Sequence, residues 1–416
     1  MPVKWKKTPR FKPELVLKRI VAVRTRNPEG KGASFSGFDL DYSLPLLHSM
    51  LDFPLVARDM DHANLIWKAI AYDPEELTKE SFLKELNKQL SAELSQRDEK
   101  FHILTSVSFD SQAEIGTTTI ENVRIQFLGP NYPRKFSAPR LAGIKDAKYH
   151  KIPATESPQN YKKIIATVTA KKPALALNVA VRAIDLHRAL WCLFCNTQME
   201  IIGRSWIPIN SIRLGGIHTV HNNDGSMATE EIWFEPHHFH PDPYKPKDTE
   251  SVRAQVRLTL RRLKLCPYRN DIVEALLQYV RALDEWNQTT AFTRLWGAVE
   301  RLSSPGHGDY DAVVRRCAFL WNDSVFATQT LEHLREYRNS CIHAGSESTQ
   351  AKTYCFQLQQ HFRPLVFFHI GNAGRFQTLQ EANNFLDMPA NLEALRELQK
   401  TVARARRFRT PRPRTA

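Results

Sequence analysis

From Thr249 to about Ala403 the apolar residues of this chain recur at helical period, broken only by short Gly, Pro or Asn stops. Nothing ahead of Thr249 is so uniform. There, segments rich in β-branched and aromatic residues alternate with helical stretches. PHHFHPDPYKPKD (236–248), with four prolines, separates the two textures and has the composition of a linker. The expected fold class is therefore α+β: a mixed, β-rich N-terminal region (1–248), an all-α bundle (249–400) and an Arg-rich tail (401–416). A further break in the N-terminal region is expected near 150–172.

Within that region LVLKRIVAVRT (15–25) reads as a strand. Helices are expected around DHANLIWKAIAY (61–72) and from Asp73 to about Ser95, with Asp73 as cap and Pro74, Glu75 and Glu76 in the first turn. FHILTSVSF (101–109), TTTIENVRIQFLG (117–129) and YKKIIATVTA (161–170) read as strands, with loops over 130–160. A nearly all-apolar helix covers about 173–196. Residues 206–236 read as a hairpin turning at Asn223-Asp224-Gly225.

The net charge of +14 suggests a polyanion partner, but its distribution matters. Five basic residues and no acid lie in 1–12, and six arginines and no acid lie in 402–416, so only about +3 belongs to everything between. Basic ends attract phosphates without reading sequence. Arg404, Arg406, Arg407 and Arg409 are candidate nucleic-acid contacts, the alternative being a tail that serves solubility alone. No apolar run approaches the roughly 20 residues a membrane span needs. The N-terminus lacks the apolar stretch of a secretory signal, so a cytoplasmic protein is expected. The six cysteines fall mostly in apolar helical patterns and read as buried thiols.

Arg-x4-His spacing recurs, and three instances have to be told apart by their surroundings. Arg182…His187 lies in the apolar helix, where a histidine is more often a hydrogen-bonded core residue. Arg213…His218 spans Gly215-Gly216 beside a strand. Arg338…His343 lies in LEHLREYRNSCIHAG (331–345), a helix with an apolar stripe at Leu331, Leu334, Cys341 and Ile342 and a natural stop at Ala344-Gly345. At 100° per residue Asn339 and His343 share a face, with Arg338 on its shoulder. Upstream, Phe292, Leu295, Trp296, Val299 and Leu302 mark an amphipathic helix over 289–304, with Thr289 or Thr290 as cap. Further helices are expected over 310–323 and 353–370.

The succession of LWGAVERL (295–302), a spacer helix and YRNSCIHAG (337–345) resembles the HEPN superfamily, and within it the Apea-like branch. The resemblance covers about 285–372. Its diagnostic pattern is Arg-x4–6-His with a polar residue after the arginine, here Arg338, Asn339 and His343. Glu300 and Tyr337 also occupy positions that look like the family's. The resemblance implies a metal-independent endoribonuclease without cofactor, acting on single-stranded RNA through the RNA's own 2′-hydroxyl. It implies a homodimer in which two copies of the helix form one cleft, and an effector role in antiviral defence. The N-terminal region would then be a sensor of a phage-derived trigger. The alternative is a HEPN module that binds RNA or protein without cleaving.

The residue types suit such chemistry. An imidazole exchanges protons near neutral pH, and a guanidinium grips two phosphate oxygens. Other constellations are weaker. Cys192 and Cys195 with His218 and His221 have zinc-ligand character, as do His237, His238 and His240, but a lone C-x2-C in an apolar helix more often packs than ligates. Gly215-Gly216 lacks the Lys-Ser/Thr of a phosphate loop.

Overall fold

The computed structural model describes residues 2–26, 33–36, 38–58, 60–72, 77–149, 156–196, 208–235, 238, 240–306 and 309–409. The fold is α+β, with the strands mainly in the N-terminal half and helices throughout the C-terminal part.

The first 95 residues build a small unit with its own core. Strand β1 (Lys4–Trp5) precedes helix α1 (Pro13–Ala22), and β2 (Arg24–Arg26) pairs antiparallel with β3 (Ala33–Phe35). Helix α2 (Asp39–Met50) leads into β4 (Leu51–Asp52), which returns to β1. A 3-10 turn (Leu55–Ala57) and helices α3 (His62–Ala71) and α4 (Lys79–Ser95) complete the unit. Leu17, Ile20, Leu47, Leu65, Ile70, Phe82 and Leu86 are buried together.

Residues 15–25 correct the sequence reading: most of this stretch is helix α1, not a strand. Leu17 and Ile20, one turn apart, are buried, while Leu15 and Val21 face solvent. The apparent alternation came from apolar residues that the helix leaves outside. Asp61 caps α3 by accepting from the Asn64 N–H, and Thr78 and Ser81 form a reciprocal cap on α4. The cap expected at Asp73–Glu76 lies outside the described residues.

A six-stranded antiparallel sheet follows, in the order β10-β9-β5-β8-β7-β6. Its strands are β5 (Glu99–Asp110), β6 (Thr117–Ile120), β7 (Val123–Phe127), β8 (Tyr161–Ala170), β9 (Ile217–His221) and β10 (Trp233–Phe234). The single strand expected over 117–129 is a hairpin, because Glu121 and Asn122 both take positive φ, as a tight two-residue turn requires. Helix α5 (Arg134–Tyr149) occupies part of the region read as loops, with Pro139 inside it. It covers one face of the sheet, where Phe136 packs with Leu104 and Ile165. Helix α6 (Pro173–Cys195) covers the other, where Ile103, Ala166 and Val168 point. Successive strand residues thus feed opposite layers. The hairpin after α6 is present as β9 and β10, and its turn needs Gly225 (φ 100°), where a Cβ would meet the Lys135 carbonyl at 2.4 Å.

The proline-rich segment is stitched to the sheet. The Tyr244 N–H donates to the Ser108 carbonyl at 2.8 Å, and its carbonyl accepts from the Asp110 N–H at 3.0 Å. Proline stops regular pairing without preventing one residue from pairing with the end of a strand, here that of β5.

The remaining helices are α7 (Thr249–Leu265), α8 (Arg269–Leu283), α9 (Gln288–Ser303), α10 (Tyr310–Ala318), α11 (Ser324–Ala344), α12 (Ala351–Gly371), α13 (Leu379–Leu386) and α14 (Leu392–Arg409). Asn287, not Thr289 or Thr290, caps α9. The helix expected over 310–323 stops at Ala318, and Asp323 caps the next one. One apolar core runs from the sheet through α6 into α7–α13, so the buried cluster does not divide at the prolines.

Candidate functional site

Helix α11 is pinned by Leu331 and Leu334, both buried among α9, α10 and α12. Tyr337 extends that anchor: its hydroxyl lies 3.1 Å from the Thr289 hydroxyl, and its ring meets Phe292 and Tyr354 edge-on at 4.8 and 4.7 Å. Burial, first of all, pushes its phenol up to about 12. The expected apolar stripe stops there. Cys341 is half-buried and Ile342 is 53% exposed.

The last turn is held by its stop. Gly345 adopts φ 61° and donates its N–H to the Ser340 carbonyl. The Ser346 N–H donates to the same carbonyl at 3.3 Å, and the Ser340 and Ser346 hydroxyls meet at 2.8 Å. The Asn287 side chain, at the cap of α9, donates to Glu347 just beyond.

On this turn Arg338 and Asn339 are half-buried and His343 is exposed. The Arg338 guanidinium donates to the Tyr310 hydroxyl at 2.6 Å, lies 4.3 Å from that ring's centre, and donates to Asn339 Oδ1 at 3.3 Å. From α9 the half-buried Glu300 faces it: burial raises the carboxyl's pKa, and the Arg338 charge opposes that rise. His343 has no hydrogen-bonding partner among the described residues, leaving its ring open to solvent. Arg338, Asn339 and Glu300 thus gather where α9, α10 and α11 meet, while Tyr337 turns toward the start of α9 and α12. Tyr310, which sequence reading missed, supplies the hydroxyl and the aromatic face. Its only signal is an aromatic residue directly after the Asp309 cap of the spacer helix.

The other Arg–His pairs are structural. Arg182 binds Glu121 and Glu274, while His187 is buried against Phe127 and Trp191, its pKa pushed down by burial to about 3. Another instance of the spacing, Arg97…His102, enters β5, where His102 meets the Thr167 hydroxyl at 3.1 Å. Arg213 and His218 belong to a polar junction between sheet and helices. There Arg188, fully buried, binds Asp185 and Asp284 at 2.8 and 2.7 Å. Arg281 reaches Asp185 and Glu235. His218 touches Glu235 at 3.3 Å and Thr105 at 2.8 Å, and Arg213 donates to the Asp284 carbonyl.

Cys192 donates to Asn210 and His221 is held by Gly225 and Thr219, so neither faces the other as a zinc ligand. Among the described residues no three His, Cys, Asp or Glu side chains cluster as a metal site. Of the linker histidines, His238 and His240 pack edge to face at 4.9 Å, and His237 lies outside the described residues.

Arg404, Arg406, Arg407 and Arg409 lie on α14, a helix that buries none of its residues; residues 410–416 fall outside the described part. No described helix is long and apolar enough to cross a membrane. No protein-family model matches the chain, and no curated protein or solved structure resembles it significantly.

Proposed function

We propose that the chain is a metal-independent endoribonuclease of HEPN type, acting as a homodimer on single-stranded RNA through Arg338, Asn339 and His343. What carries this reading is an exposed imidazole, without a partner among the described residues, on the same helix end as a guanidinium that Tyr310 and Asn339 orient and Glu300 faces. A site built only for stability has no need to leave His343 open.

The reaction needs two proton movements. One imidazole takes the 2′-hydroxyl proton as that oxygen attacks the phosphorus, and a second, protonated imidazole gives a proton to the departing 5′-oxygen. Arg338 balances charge on the phosphate, and the products are a 2′,3′-cyclic phosphate and a 5′-hydroxyl. One chain offers one such histidine, so a twofold assembly of two α11 ends supplies the pair. Ile342, exposed beside His343, is an apolar residue that such an interface would cover. In this reading residues 1–248 restrain the nuclease until a phage-derived trigger is sensed, which places the protein in antiviral defence.

A second reading, a HEPN module that binds RNA or protein without cutting, draws on the inward engagement of Arg338 by Tyr310. The test is cleavage of single-stranded RNA in EDTA by the full chain and by His343→Ala. The nuclease reading expects cyclic-phosphate ends, lost by at least about a thousandfold in the variant, which stays dimeric and changes unfolding free energy by no more than about 0.5 kcal/mol. RNA bound but left intact by the wild type would favour the module.

A further inference from the structure

An open cavity of about 500 Å³ lies between the sheet and the start of α5, far in sequence from the α11 end. Arg134, Arg140 and Lys163 bring three cations to it, and Glu156 one carboxylate. Pro130, Tyr132 and Leu141 add apolar wall.

The charges differ in how they are met. Arg140 is fully buried and saturated: Nε and Nη2 donate to Glu156 at 2.7 and 3.1 Å, Nη1 to the Leu104 carbonyl and Thr219, and Nη2 also to the Ile217 carbonyl. Glu156 is fixed in turn by accepting from the Ser157 N–H. That pair neutralises itself. Lys163 is only 4% exposed and donates to two carbonyls, of Ser157 and Pro158, each at 3.0 Å. An ammonium has three N–H donors, so one is unspent, and no carboxylate lies within ion-pairing distance of it among the described residues. Arg134, at the rim, has no ion pair among the described residues either. A buried ammonium held by two neutral carbonyls, with the Tyr132 ring centre 5.9 Å away, costs the fold free energy. Burial draws its pKa down to about 8, against the raising effect of Glu156, which leaves it largely protonated at neutral pH.

We propose that this cavity is a binding site for a small phosphate monoester, whose dianion takes the third donor of Lys163 and the fork of Arg134 while its organic part lies against Tyr132 and Leu141. Two unmatched positive charges fit a dianion better than a carboxylate. The volume lies within the range of small-molecule sites and suits a ligand of about nucleotide size. This site stands independently of the nuclease reading, and RNA cleavage is not its readout.

The probe is ribose 5-phosphate, titrated calorimetrically into the full chain at low salt, with ribose as the neutral control. The expected result is saturable binding at least about tenfold tighter than ribose, weakened at least about tenfold by Lys163→Met and severalfold by Arg134→Ala. Arg134 is exposed, so its variant keeps the test open should Lys163→Met fail to fold. Ribose 5-phosphate binding no tighter than ribose, or binding that Arg134→Ala leaves unchanged, overturns the proposal.

Discussion

Arg213 and His218 lie at the packed junction between sheet and helices, whereas Arg338 and His343, at the same spacing, lie at the rim of the helical bundle. In the junction every named charge has an opposite close by: Arg188 sits between Asp185 and Asp284, Arg281 between Asp185 and Glu235, and both His218 nitrogens are engaged. At the rim the guanidinium is steadied by a neutral hydroxyl and an amide, Glu300 faces it without forming an ion pair, and the imidazole is left open. Groups that neutralise one another hold a fold. Groups oriented but not neutralised are available to an incoming phosphate.

The comparison is tested most severely at Arg188. Replacing it with methionine keeps most of the volume and takes the ion-pair partner from Asp284, which keeps the Asn210 amide at 2.9 Å, while Asp185 keeps Arg281. Removing one partner from a buried ion pair costs about 3–5 kcal/mol. Urea unfolding of Arg188→Met should show a loss of that size. A loss under about 1 kcal/mol would mean the junction does not hold sheet to helices.

Acid sharpens the contrast at the level of single histidines. Burial holds His221 and His361 down to about 4, and His187 and His369 to about 3, so all four stay neutral in the folded chain where the unfolded chain protonates near 6.5. The unfolded state then binds more protons, and stability falls as pH drops from about 6.5 to about 4. His361 is informative because its buried Nδ1 has no hydrogen-bond partner among the described residues and its ring packs on Trp321. His361→Leu should recover roughly 2–3 kcal/mol of the acid loss, read from urea midpoints at pH 7 and 4.5. An unchanged acid limb would place its folded pKa near the ordinary value.

How much of this was legible depended on sequence distance. The helical region announced itself through apolar period, and α11 with its Gly345 stop could be placed from fifteen residues. Arg338, Asn339 and His343 fall within six positions, so helix geometry alone set them on one edge. The partners did not follow from local pattern: Tyr310 reaches Arg338 across 28 residues, and Arg188 reaches Asp284 across 96. Helix α1 was misread because its outward Leu15 and Val21 blurred the period. Helix α5 was missed because Pro139 and its many polar residues resemble a loop, and only packing of Phe136 and Ile144 against the sheet fixes it. The proline-rich segment was read by composition, which cannot see Tyr244 pairing with the end of β5.

The smallest effect on stability, and the finest division between the two regions, belongs to Tyr310→Phe. The change removes the 2.6 Å hydrogen bond to Arg338 but keeps the ring beneath the guanidinium. A hydrogen bond from a charged donor contributes about 1.5–3 kcal/mol when buried, so at this half-buried site unfolding should move by about 1.5 kcal/mol or less. Arg338 itself would gain freedom to swing, since Asn339 holds it only at 3.3 Å. If the rim exists to present that guanidinium to a phosphate, RNA cleavage should fall by several-fold while the unfolding midpoint barely shifts. A loss of about 3 kcal/mol would instead put Tyr310 and Arg338 in the same class as Arg188, as charges spent on holding helices together.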